Sequence, residues 1–114
     1  MLQIEQFNSI YLKYYEKTFR FARIYVRNDL VAEDIATESL IKLWETMKKE
    51  PVEKPLALLL TILKHKSLDY LRKQASMQEV FEAMAEWQQR ELSIRISTLE
   101  ACNPNDIFSK EIQS

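Results

Sequence analysis

No glycine occurs anywhere in these 114 residues, and Pro51, Pro55 and Pro104 are the only prolines. Glycine is the residue that takes positive φ without steric cost, so tight hairpin turns and glycine-built phosphate loops have nothing to be made from. Helices joined by short links are the expected outcome, an all-α fold. At 46% apolar residues the chain can bury one core of modest size.

Ile4, Phe7, Tyr11, Tyr14, Thr18, Phe21 and Tyr25 recur at steps of three and four, which stacks them on one side of a first helix. An aromatic stripe of this kind reads as core. Asn28 and Asp29 carry side-chain acceptors suited to stopping this helix and capping the next. In a second helix over 30–49, Ala32, Ala36, Ser39, Leu40, Leu43, Trp44 and Met47 share a face that packs on the first. The opposite face collects Asp34, Thr37, Glu38, Ile41 and Glu45, so Ile41 stands among carboxylates. A single exposed isoleucine is ordinary, yet an apolar residue ringed by charge is also how a protein-docking centre looks.

Residues 48–54 read as a short basic loop broken by Pro51, and Pro55 suits the first turn of a third helix over 55–75. That helix sets Leu56, Leu59, Leu60, Leu63, Ser67, Tyr70 and Leu71 on one side. Its other side shows Leu58, Thr61, Ile62, His65, Lys66, Asp69, Arg72 and Lys73, a mixture of cations, hydrogen-bonding groups and two aliphatics expected to be exposed. The plainer reading of Leu58 and Ile62 is that they pack on another helix. Residues 76–101 continue helical, with Val80, Met84, Trp87, Leu92, Ile96 and Leu99 at helical steps in acidic surroundings, which suggests a connecting helix rather than a second core. A turn is expected at 103–106.

The formal net charge is −1, but charge is segregated along the chain. Residues 11–27 and 54–73 are each net +4, whereas 29–50 and 76–114 are −3 and −4. Such a molecule can offer a basic surface to phosphates and an acidic one to a basic protein partner.

Cys102 and His65 are each the sole residue of their type. An intramolecular disulfide framework and a multi-cysteine zinc site are excluded, and a reducing cytoplasm is suited. The longest apolar run, 56–60, is far too short to span a bilayer, so no membrane insertion is expected. Asp34 and Glu38, four apart, lack the further ligands a metal requires. There is no HExxH, Walker loop or GxSxG, and His65, Ser67 and Asp69 point in different directions from one helix. Neither an enzyme nor a cofactor is expected; binding is the chemistry that remains.

The order of these pieces resembles region 2, the promoter-melting region, of extracytoplasmic-function (ECF) sigma factors in the sigma-70 family. The likeness begins in the aromatic first helix, sharpens at AEDIATESLIKLWE (32–45) and resumes at LLLTILKHKSLDYLRK (58–73). It implies a three-helix sigma region 2 bundle over 1–75, a connecting helix or linker over 76–103, and in LEACNPNDIFSKEI (99–112) the lead-in to a second, upstream-element-reading domain starting at 104. It also implies a cytoplasmic subunit that binds core RNA polymerase through the β′ clamp helices and melts the minus-ten promoter element.

Carried over by residue, the resemblance assigns Asp34, Thr37, Glu38 and Ile41 to polymerase binding. The loop and third helix fall to promoter DNA, chiefly its non-template strand: Lys48, Lys49, Lys54, Lys64, Lys66, Arg72 and Lys73 for phosphates, Thr61, His65 and Asp69 for base edges, and Leu58 and Ile62 within the melting face. Asp69 and Arg72, three apart, also suit an intrahelical ion pair. Family members commonly carry Gln at position 37, a large aromatic at 58 and Asn at 65, so this chain departs at Thr37, Leu58 and His65. An anti-sigma partner is a further implication of the resemblance. A helical protein-interaction adaptor is the competing reading from a different class. A truncated helix-turn-helix repressor is disfavoured by the proline-bearing link and the apolar start of the third helix.

Overall fold

The computed structural model describes residues 2–103 and is all-α: α1 (Leu2–Val26), α2 (Asp29–Lys49), α3 (Pro55–Ser76), α4 (Gln78–Ala83) and α5 (Glu86–Ala101). The turn and second-domain start expected from 104 onward lie outside the described residues.

Helix ends follow local chemistry. Asn28 caps α2, its side chain accepting from the Val31 N–H at 3.1 Å, which satisfies one of the donors a helix start leaves unpaired. The stop before it is less orthodox: Arg27 sits at φ 53°, the left-handed position that usually falls to glycine, and its N–H closes α1 by donating to the Arg23 carbonyl at 2.9 Å. A chain without glycine therefore still makes a positive-φ turn, the one among the described residues, and Arg27 there pairs with Glu91 of α5 at 2.8 Å. Arg27→Gly is expected to be about 1 kcal/mol more stable than Arg27→Ala, because both lose the ion pair and only alanine keeps the left-handed strain. Chemical denaturation of the two variants checks this; equal stabilities would show that the turn is unstrained.

Helix α2 ends at Lys49, as the helix expected over 30–49 does, so the basic loop expected over 48–54 gives up only its first two residues. Lys48 and Lys49 are its last two residues, and the Glu50 N–H donates back to the Thr46 carbonyl at 3.1 Å. Pro51 forces Glu50 into extended backbone and ends the helix there. The two lysines gain from the negative end of the helix dipole, and the Lys48 ammonium lies 5.4 Å from the centre of the Trp44 ring. The connecting loop is thus residues 50–54, and Pro55 opens α3 in its first turn as expected.

Helices α1, α2 and α3 pack on one another, and α3 also packs on α4 and α5. Leu40, Leu43, Met47 and Leu59 form one apolar cluster, flanked by the half-buried Phe7, Tyr11, Tyr14 and Tyr15. A second cluster joins Phe21, Ala22, Val26, Ala32 and Ile35 to Leu60, Leu63, Leu68 and Leu71. The aromatic stripe faces the core as expected except at its start, where Ile4 is about half-exposed. Thr18, wholly buried, satisfies its hydroxyl by donating to the Tyr14 carbonyl at 2.8 Å.

The stretch expected as one helix over 76–101 is two. At the break, the Met84 N–H donates to the Phe81 carbonyl at 3.1 Å, the Gln89 side chain donates to that same carbonyl at 2.8 Å, and the Gln88 side chain accepts from the Ala85 N–H at 2.8 Å. Two glutamines do here what proline or glycine does elsewhere. Nor is α5 merely a connector: Leu92 and Leu99 are buried in the second cluster with Leu63, Leu68 and Leu71. Leu68, off the apolar side of α3 that periodicity defines, is buried there too. Among the described residues no helix is long and apolar enough to cross a membrane.

Candidate functional site

The acidic sector of α2 is open to solvent. Asp34, Glu38 and Glu45 are exposed, Thr37 is half-buried, and Ile41 is 46% exposed among them. Because the other face of the helix holds Ala32, Ala36, Leu40 and Leu43 in the core, the orientation of this sector is fixed.

An open groove of about 420 Å³ runs between α2 and α3, with Asp34, Ile35 and Glu38 along one wall and Lys66, Asp69, Tyr70 and Lys73 along the other. The acidic face and the basic face therefore meet along one line, where Lys66 bridges to Glu38 at 3.5 Å. At that length and exposure the pair is a weak link. Lys73 and Asp69 stand exposed at the same groove, and Thr61 and His65 are exposed elsewhere on α3.

Several expectations change here. Leu58 and Ile62 are half-buried rather than exposed, packed with Val52 against the cluster around Leu40, Leu43 and Leu59. This is the plainer of the two readings, packing on another helix, since Leu40, Leu43 and Met47 belong to α2. Asp69 does not pair with Arg72; the guanidinium turns instead to Glu100 of α5, at 2.9 Å. Lys64 is likewise taken by α5, donating to the carbonyls of Glu100 at 3.0 Å and Cys102 at 2.8 Å. Lys49 and Lys54 are exposed on either side of the loop.

What periodicity missed is the fastening of α5 at its other end. Arg95 donates to the Tyr25 carbonyl and pairs with Glu91 at 2.9 Å, and Glu91 pairs in turn with Arg27. The Tyr25 carbonyl is one of the acceptors that the end of α1 leaves unpaired. Burial, together with the neighbouring Cys102, pushes the Tyr25 phenol above its ordinary pKa of 10.0. Among the described residues no group of acidic, histidine or cysteine side chains is placed to hold a metal ion.

The family model for sigma-70 region 2 matches residues 10–77. The chain belongs to the sigma-70 region 2 family. Comparisons with curated proteins and with solved structures give no match. Sigma region 2 is the part of RNA polymerase sigma factors involved in binding core polymerase and in promoter melting, and its work is transcription initiation rather than enzymatic catalysis. The matched span contains most of α1 and all of α2, the loop and α3, hence every residue of the two faces just described. Helices α4 and α5 lie beyond it.

Proposed function

We propose that this sigma region 2 domain is of the ECF type, docks on the β′ clamp helices of core polymerase through Asp34, Thr37, Glu38 and Ile41, and holds the minus-ten element open with α3 and the loop before it. The observation that carries the reading is Ile41, half-exposed in a ring of carboxylates within the family-matched span. A small apolar centre inside a charged rim is the pattern of a specific docking surface. The acidic rim suits a basic helical partner and repels nucleic acid.

On the other wall Lys66 and Lys73, and beside the loop Lys49 and Lys54, serve phosphates, and Thr61, His65 and Asp69 of α3 face base edges. Single strands are held by cations along the backbone and by shelter for unstacked bases. The loop 50–54, backed by Leu58 and Ile62, supplies an apolar wall for such a base. The working place of the domain is the cytoplasm, and an anti-sigma protein covering the same two faces is its expected regulator.

A pull-down of the chain with β′ clamp helices tests the docking surface. The double substitution Glu38→Lys, Ile41→Asp is expected to weaken the interaction at least roughly ten-fold, since it reverses a rim charge and desolvates a new one at the centre. Both side chains are exposed, so the variant should keep its helical circular dichroism. A folded wild-type chain that fails to bind the clamp helices would favour a protein-interaction adaptor of another kind.

A further inference from the structure

On the reading of α3 as the promoter face, the basic surface is not free in this structure. Lys64 and Arg72 lie two turns apart on α3, and both reach the last turn of α5. Lys64 donates to two carbonyls at the helix end, where unpaired acceptors and the negative end of the dipole gather. Arg72 pairs with the Glu100 carboxylate, both side chains about half-exposed. The same turn is seated by Leu99, wholly buried. The partners that α5 offers are anionic or dipolar oxygens, the same chemistry that a phosphodiester offers a lysine and an arginine.

We infer that the end of α5 is an internal strap which occupies Lys64 and Arg72 in place of nucleic-acid phosphates, so that single-stranded DNA must displace it to use the whole basic face of α3. The inference extends the proposed function and rests on it. The strap restrains two cations and leaves Lys73 and the loop lysines available. Weak first contact through those lysines is followed by exchange of Glu100 for phosphate.

Binding of a fluorescein-labelled oligothymidine to the intact chain, followed by anisotropy across a salt series, tests this. Glu100→Gln frees Arg72 and is expected to bind roughly three-fold tighter at low salt, with a salt dependence steeper by about 0.7 in log–log slope, the contribution of one added phosphate contact. Arg72→Gln should then cost affinity in the Glu100→Gln background and little in the wild type. Glu86→Gln, which removes an equal charge from the far, exposed end of α5, should leave the slope unchanged. Cys102 is the only cysteine, at the strap's end and half-buried, so its alkylation rate should rise several-fold when oligothymidine is added.

If Glu100→Gln matches the wild type, or Glu86→Gln reproduces its effect, or oligothymidine leaves Cys102 alkylation unchanged, the strap is overturned. Lys73→Gln separates the two levels of argument. If it weakens binding while Glu100→Gln does nothing, the promoter face stands without the strap; if it has no effect in either background, or if no variant binds at low salt, the promoter face fails and the strap with it.

Discussion

Leu99→Ala is expected to lower the unfolding free energy by about 2–5 kcal/mol, the range for truncating a leucine in a packed core. Leu99 is fully buried and shares its cluster with Leu63, Leu68, Leu71 and Leu92, although it lies more than twenty residues beyond the family-matched span. If α5 were only a connector swinging in solvent, the substitution would cost little, because an exposed leucine contributes next to nothing. Urea denaturation followed by circular dichroism measures the difference. A loss under about 1 kcal/mol would detach α5 from the core and remove the seat of the strap. The expected loss would extend the folding unit from the three-helix bundle to the end of α5.

Arg95→Met should cost about 1.5–3 kcal/mol, the range for a hydrogen bond to a charged group in a partly buried place. Methionine keeps much of the stem packing, so what is lost is the guanidinium: its donation to the Tyr25 carbonyl and its pairing with Glu91. Only 17% of the Arg95 side chain is exposed, against 58% for Arg27, so solvent screens the first far less than the second. The two arginines share Glu91, and their effects should therefore fail to add. A double-mutant cycle between Arg95→Met and Glu91→Gln is expected to return a coupling above about 0.5 kcal/mol. Additive losses would mean that Arg95 acts through Tyr25 alone.

These two residues mark the border of what could be read in advance. The three main helices, their core faces and the exposed acidic sector with Ile41 inside it follow from spacing, since a helix of 3.6 residues per turn sorts side chains by local position alone. Asn28 as a cap and Pro55 as a first-turn residue are equally local. The end of α2 at Lys49 follows from the same spacing, and only the start of the basic loop falls two residues later than expected, because lysines suit a loop and a helix terminus alike. Leu58 and Ile62 follow the plainer reading and not the exposed one, because the α2 residues Leu40, Leu43 and Met47 form the cluster they pack against, and which helix meets that face is not set by periodicity.

By itself, then, the sequence determined an all-helical chain, the segregation of its charge, and two surfaces of opposite sign on α2 and α3. Only the tertiary structure decided which of those charges stand open. The resemblance makes Lys64 and Arg72 phosphate ligands, yet their partners lie between 28 and 38 residues away, at the end of α5. Contacts at that separation are set by how helices pack, and packing depends on the shape of both surfaces at once. The burial of Leu68 and Leu99, and with it the closing of α5 over one edge of the basic face, is therefore a property of the assembled core.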